Sequence, residues 1–336
     1  MTIYNFKLIR SIKYSLVISV LLTGLVLCYF IFANQNDKVN QKDKEVRKTT
    51  DNQVSPSFQA NTPNLIGLSL EHGPYYIQAK EMEELSGQVY FILPKVKMML
   101  KHIDWLNLTS KRANLTVNDN HLQLFDTVRA NLNKEYYFEG EQAEILSKDS
   151  IIRSDQYSRM FTDMSNIESQ TGLILNYEDQ TAFFHGSINA NMKQAKNNST
   201  TNIKSDKFDL FWQKNTGNFL GNVILTKEGT IVKSNKMTII MNPQTNQLDK
   251  VYAYGKVKII DKEQTSTSEY GEYIVSTGIL TLKDQVKLFK DNNVMNGELL
   301  HYDFATKKSD LVGSSKNKKT KRARAVIIPK NKNEQN

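Results

Sequence analysis

Paired carboxylates such as Asp206 and Asp209 are the first residues to weigh, because glycoside hydrolysis needs two carboxyl groups flanking the bond to be broken. β-Helix enzymes that act on polysaccharides use such pairs. Here both aspartates fall at strand ends inside a repeat, where a solvated surface is the simpler reading. His72, His102, His121, His185 and His301 are scattered and form no HxH or HExxH spacing that would hold a metal. No G-x-S-x-G elbow or phosphate-cradling glycine loop is present. The single cysteine, Cys28, lies in an apolar run, so no disulfide framework, paired-cysteine metal site or soluble thiol nucleophile can form. No enzyme, cofactor or metal is expected. Lys316, Lys318, Lys319, Lys321, Arg322 and Arg324 form a dense cationic run. Such a run is usually a solvated end; its functional reading is contact with lipid phosphates or an acidic partner.

The chemistry that remains is burial of oil, and the elements that would position it are strands. From about Leu65 to Val312 the dominant period is two. Val251, Ala253, Gly255, Val257 and Ile259 alternate with Tyr252, Tyr254, Lys256 and Lys258. Leu280, Leu282, Val286 and Leu288 alternate with Thr281, Lys283, Gln285 and Lys287, and Leu122, Leu124 and Val128 with Gln123, Phe125 and Arg129. Alternation of this kind gives one apolar and one wet face per strand. Asn118-Asp119-Asn120, Lys227-Glu228-Gly229 and Asp291-Asn292-Asn293 read as turns between strands. The one helix expected in the soluble part is a short one around Ala79 to Ser86.

An internal repeat organises the strands. Phe184-His185-Gly186-Ser187-Ile188, Phe219-Leu220-Gly221-Asn222-Val223, Ala253-Tyr254-Gly255-Lys256-Val257 and Leu282-Lys283-Asp284-Gln285-Val286 are successive copies, their Gly or Asp positions 35, 34 and 29 residues apart. A second element interleaves with them: Ile203 to Phe208, Val232 to Met237, and Thr267 to Tyr270. Neither segment buries its apolar face alone, so copies must stack. The product is a solenoid or an elongated jelly roll folded like a taco. Asp284 replaces the repeat glycine, so the last copy is expected to bend differently.

Charge and hydropathy divide the chain further. Residues 1–199 carry 21 basic and 21 acidic residues and residues 200–336 carry 23 and 14, so the whole excess of +9 lies in the second part. A basic surface suits phosphate, nucleic acid or acidic lipid. Tyr14 to Ala33 is 20 residues without a charge. At 1.5 Å per residue it spans a hydrocarbon core of roughly 30 Å. Lys7, Arg10 and Lys13 precede it and hold residues 1–13 in the cytoplasm. The run is too long and too bulky at its end for a cleaved signal, and Leu27 is too large for a lipoprotein box. The expectation is a retained transmembrane helix at 14–33, a polar tether at 34–63, and an exported remainder, where nucleic acid is no partner.

Two families fit the pattern that follows. Asn64 to Gly67, Gly73 to Ala79, Trp105 to Ser110, Leu122 to Leu124 with Val128, Ile152 to Asp155, and Phe184 to Ile188 resemble the LptC family of lipopolysaccharide-export proteins with one membrane helix, over residues 64–192. Ile203 to Phe208, Phe219 to Leu225, Val232 to Met237, Gly255 to Val257, and Lys321 to Pro329 resemble the LptA (OstA-like) family of soluble periplasmic carriers, over residues 202–329. The polar stretch at 193–201 reads as a linker and 330–336 as a disordered tail. The fold expected is all-β: a transmembrane helix, then an elongated, repeat-built jelly roll (β-taco) in two stacked units. The two proteins are usually separate chains, and this sequence resembles both in one.

The resemblance implies an apolar groove for the acyl chains of lipopolysaccharide, lined by Leu122, Leu124, Val128, Phe208, Phe219, Val223, Leu225, Met237, Val251, Val257, Ile259, Leu282, Val286 and Leu288. The plain alternative is that these residues fill a sandwich core. Six cations, Lys316 to Arg324, would meet headgroups or an acidic partner. Burying a methylene stabilises by about 0.8 kcal/mol, so several partly covered chains reach on the order of 10 kcal/mol. A passive groove sets no direction; the resemblance implies an inner-membrane lipopolysaccharide ABC transporter that loads it. Open sheet edges would add strands from that transporter, near Pro74 to Ala79, and from a further LptA-like carrier or outer-membrane receiver, near Val294 to Phe304. The competing reading is a membrane-tethered periplasmic β scaffold that binds protein partners only.

Overall fold

Strands rich in β-branched and aromatic residues, with apolar side chains at every second position, need a partner strand on each side and a second layer over their oily face. The computed structural model describes residues 57–326 apart from 70–72, 101–103, 118–119, 194–198, 246, 263, 291–292, 307 and 314–323. The expected cytoplasmic segment, membrane helix, most of the tether, the tail, and Lys316 to Arg322 lie outside the described residues. Among the described residues no helix is long and apolar enough to cross a membrane.

The described part is one antiparallel sheet of 24 strands. In chain order the short strands are β1 (Phe58–Asn61), β2 (Asn64–Ser69), β3 (Gly73–Gln78), β4 (Glu81–Leu85), β5 (Gln88–Ile92), β6 (Lys95–Leu100), β7 (Asp104–Thr109) and β8 (Arg112–Thr116). Two long strands follow, β9 (His121–Leu132) and β10 (Tyr136–Leu146), then β11 (Ile151–Ser154), β12 (Ser158–Phe161), β13 (Ser165–Ser169) and β14 (Leu173–Asn176). Eight long strands come next: β15 (Thr181–Lys193), β16 (Thr200–Phe211), β17 (Thr216–Lys227), β18 (Thr230–Met241), β19 (Leu248–Ile260), β20 (Gln264–Ile274), β21 (Ile279–Lys290) and β22 (Asn293–Asp303). The last two are β23 (Lys308–Val312) and β24 (Arg324–Val326).

The sheet is folded along a spine into two facing layers. β9 shows how: its first half, to Phe125, pairs with β8, and its second half, from Arg129, pairs with β7. Between the halves Asp126 and Thr127 take left-handed backbone, with φ of 62° and 63°. The same mid-strand register shift recurs along the stack from β15 to β22. It divides every long strand between layer A, which holds β4, β5, β8, β11, β14 and β23, and layer B, which holds β2, β3, β6, β7, β12, β13 and β24.

The spine explains both repeated elements. Gly221 at φ +75° and Asn222 at φ 45° make the bend in β17, and a Cβ on Gly221 would lie 2.3 Å from the Asp206 carboxylate. Alternate strands bend through a serine whose Oγ donates to the carbonyl two residues on: Ser205 to Lys207 (2.8 Å), Ser234 to Lys236 (3.0 Å) and Ser268 to Tyr270 (2.9 Å). Such short-range bonds let a buried serine satisfy the carbonyl that the bulge frees. Contrary to expectation, Asp284 bends β21 as the glycines bend theirs: Asp284 and Gln285 are themselves left-handed, at φ 65° and 55°.

Three further expectations are corrected. The helix around Ala79 to Ser86 is strand β4, because pairing with β1 and β5 overrides the helix propensity of Glu81-Met82-Glu83-Glu84-Leu85. Pro74 to Ala79 is not an edge: β3 is paired on both sides, by β2 and β6. Val294 to Phe304 is not an edge either, since β22 is covered by β21 on one side and by β23 and β24 on the other. Among the described residues the outermost strands are β1 and β2 at one end and β23 and β24 at the other. Across the segment read as a linker the sheet continues, with Lys193 paired to Thr200 at the mouth of a hairpin of β15 and β16. The apolar interior divides earlier. One cluster runs from Ile77 to Ile145 and the other from Met160 to Tyr302, with Phe138 packed against both.

Candidate functional site

The inner faces of the two layers hold the candidate residues. Leu122, Leu124 and Val128 lie in the first cluster; Phe208, Phe219, Val223, Leu225, Met237, Val251, Val257, Ile259, Leu282, Val286 and Leu288 lie in the second. All are buried. Phe184, Phe208 and Phe219, on three adjacent strands, stack in a row, with the last two rings 4.3 Å apart. Arg324 falls in β24, and the other five cations of its run lie outside the described residues.

Opposite the spine the strand ends of the two layers meet along a seam, and a cavity of about 30 Å³ lies in each region there. The first is lined from layer B by Tyr75, Ile77, Val96 and Met98, and from layer A by Leu115, Leu122 and Ile145. Burial pushes the Tyr75 phenol above its ordinary value. The second is lined from layer B by Thr201, Leu225, Lys227, Thr230 and Val232, and from layer A by Met237, Leu248, Val251, Ala253, Tyr273, Leu280 and Phe304. A water needs roughly 10–15 Å³ of such volume, so neither cavity admits an acyl chain as it stands.

Contacts among the described residues close the seam. Lys227 Nζ donates to the Tyr273 hydroxyl (3.2 Å), Gln264 Nε2 bonds to Ser309 Oγ (2.8 Å), the Tyr302 hydroxyl donates to Asp261, and the Tyr136 and Trp212 rings meet edge to face at 6.3 Å. Each joins a layer B end to a layer A end.

The other chemical candidates come apart. Asp206 accepts from Asn222 Nδ2 (2.8 Å) at the spine. Asp209 lies on the outer face of layer A, where burial raises its carboxyl against the pull of His185, Lys207 and Lys236. His185 shares that face, in register with Lys207, and His301 bonds Thr281 Oγ1 at 3.1 Å. His121 stands 3.9 Å from Glu144, while His72 and His102 lie outside the described residues. Among the described residues no group of acidic, histidine or cysteine side chains could hold a metal.

Sequence reasoning missed Lys227, Thr230 and Tyr273. Lys227 was legible: it keeps the odd-numbered parity of Phe219, Val223 and Leu225, and so must face inward. Reading Lys227-Glu228-Gly229 as a turn hid that, because the turn itself is only Glu228 and Gly229. Tyr273 needed the layer-to-layer contact, which no strand period contains.

The fold and site define a β jelly-roll shell around an apolar interior that closes at a seam. Residues 16–173 match the family model described as lipopolysaccharide-assembly, LptC-related, and residues 202–308 match that of the LptA/(LptD N-terminal domain) LPS transport protein. The chain joins an LptC-like region to an LptA-like one in a single polypeptide. Among solved structures it is similar to LptH, the LptA-homologous periplasmic component of the lipopolysaccharide transport device of Pseudomonas aeruginosa, with 19% identity, a TM-score of 0.33, and coverage of 38% of this chain and 95% of that one. No curated protein matches the chain.

Proposed function

We propose that this chain is a membrane-anchored periplasmic bridge that holds the acyl chains of lipopolysaccharide between layers A and B. It passes them from an inner-membrane ABC transporter toward the outer membrane. Both matched families are families of lipopolysaccharide transport. The observation that carries the finer reading is placement: the oily candidate residues face one another across the layers, and both cavities lie on the seam opposite the spine.

Magnitudes favour a seam that parts. Each polar contact across it stabilises the closed form by about 0.5–1.5 kcal/mol. Acyl burial supplies on the order of 10 kcal/mol. Cargo can therefore displace the contacts, and the lips close again behind it. Direction comes from ATP use at the loading end. There β1 and β2 offer the open edge, with Phe58, Ile66 and Leu68 exposed beside it. At the other end β23 and β24 offer the edge to the next carrier or receiver.

The closed interior is the observation that favours the rival reading, a tethered scaffold for proteins only. Photo-crosslinking residues at Leu124, Val223 and Val257 in intact cells separate the two. Capture of lipopolysaccharide at these inward positions is expected; capture at none of them overturns the carrier reading.

A further inference from the structure

The seam of the second region carries a polar row where the fold calls for oil. Thr201, Lys227 and Thr230 are registered partners on three adjacent strands. All three side chains face inward and are buried, at 2%, 7% and 1% exposure. The two-residue turn Glu228-Gly229, with φ of 48° and 83°, fixes the hairpin so that Lys227 and Thr230 stand side by side. Below them lie Leu225 and Val232, the start of the apolar cavity. Lys227 spans the seam to the Tyr273 hydroxyl. Thr230 Oγ1 has no hydrogen-bond partner among the described residues.

Burying a hydroxyl without a partner costs free energy, and so does drawing a cation under an apolar roof. Neither is needed to fill a core: valine has the shape of threonine, and methionine nearly that of the lysine stem. An occupant that accepts from all three groups recovers the hydroxyl's cost and adds a counter-charge beside Lys227. It must bring several acceptor oxygens and negative charge, since Lys227 only donates. It must also be joined to an apolar chain, because the row sits at the mouth of an oily cavity. Among the described residues the first cavity has no such row; Asn120 and Ser147 on its rim are neutral.

We infer that Thr201, Lys227 and Thr230 form an anion seat for the phosphate of an acylated, phosphorylated amphiphile. The Tyr273 hydroxyl holds Lys227 in place until the phosphate displaces it. This rests on the carrier reading and adds to it where the headgroup is recognised and that the second region does the recognising.

Binding of hexa-acylated lipid A and of its dephosphorylated form to the full chain in neutral detergent tests the seat. The unaltered chain is expected to prefer the phosphorylated lipid about tenfold or more, equivalent to about 1.4 kcal/mol. Lys227→Met is expected to abolish most of that preference, read as the ratio of the two affinities. Thr230→Val, which keeps shape and folding, is expected to reduce it about threefold, and Lys227→Arg to restore it. A preference unchanged in both Lys227→Met and Thr230→Val overturns the seat, as does equal binding of the two lipids by the unaltered chain. Displacement of lipid A by millimolar inorganic phosphate assigns the row to free anions and overturns the lipid assignment. Binding of neither lipid by the unaltered chain overturns the carrier reading instead.

Discussion

One row of outward-facing residues runs in unbroken register along layer B, and its two halves are built on opposite electrostatic plans. In the LptC-like part of the chain, which runs past the boundary between the two apolar clusters, Arg129, Glu139, Arg159 and Glu168 follow one another on adjacent strands, with cation and carboxylate 3.5, 3.5 and 3.9 Å apart. In the second region the row continues through Lys204, Lys233, Lys258 and Lys287, with Ile224 and Thr267 between them. None of these lysines forms an ion pair among the described residues. The backbone is the same; the charge plan is not. The first region neutralises itself across strands, and the second presents cations outward and, at Lys227, inward. The C-terminal excess of charge is therefore partly a property of the folded sheet and not only of the run at 316–324.

The largest test of the comparison asks whether the two regions are one folding unit. The oily clusters are separate but share Phe138, and β10 carries the sheet from the first to the second by pairing with β12 in layer B and β11 in layer A. Phe219→Ala removes a stacked ring from the second cluster and is expected to cost about 3–5 kcal/mol; Leu124→Ala in the first costs about 2–5 kcal/mol. Trp105 lies in the first region and Trp212 in the second, so single-tryptophan variants report each separately in urea. Each substitution is expected to shift both reporters together. A shift in one reporter alone splits the chain into two units.

The spine gives the next effect. Ala at Gly221 must adopt φ near +75° against Asp206, at a cost of about 1–2 kcal/mol. Asp284 occupies the equivalent bend in β21 at that same type of cost, so Asp284→Gly is expected to stabilise by up to about 1 kcal/mol. Thermal melts of the two variants should move in opposite directions. Movement in the same direction means that the two bends are not equivalent.

A smaller effect belongs to the first region. Desolvation pushes the Glu144 carboxyl up, but hydrogen bonds from Gln123 (2.9 Å) and Arg153 (2.6 Å) outweigh it and hold Glu144 below its ordinary value. A lowered folded-state value stabilises the fold above the unfolded value, about 4.5, and that contribution disappears as pH falls through the folded value. Glu144→Gln is thus expected to cost up to about 1 kcal/mol at pH 7, with the deficit vanishing in melts taken well below pH 4. A deficit that persists in acid assigns the effect to packing.

Alternation located the strands it was read on, β9, β19 and β21, and the inward side of each, since period two is local. It also exposed both repeats, although not why one carries glycine and the other serine: that follows from neighbouring strands bending in register, a relation between segments some 15–20 residues apart. Edges were misplaced for the same reason. Pro74 to Ala79 looks like a first strand in sequence, yet β2 precedes it and covers it. Helix-favouring Glu81 to Leu85 is strand because of its neighbours, which no local propensity records. Whether the inward face holds cargo or only itself depends on how closely two layers approach, and that distance is set by side chains far apart in the chain.

The finest test returns to the outer row. Lys233 and Lys258 are directly opposite in the β18–β19 pair, where like charges destabilise. Lys258→Glu converts the contact to the plan of the first region and is expected to stabilise by about 0.2–1 kcal/mol at low salt. The gain should fade toward 1 M salt, where screening acts within about 3 Å. Arg159→Glu does the reverse, aligning three carboxylates, and should destabilise by a similar amount with the same salt dependence. A region that keeps a mildly repulsive row, when a single charge reversal relieves it, is one in which the exposed cations are retained for something other than the stability of the sheet. If Lys258→Glu leaves low-salt stability unchanged, the lysines are too well solvated to feel one another, and the contrast between the two halves is one of composition without energetic consequence.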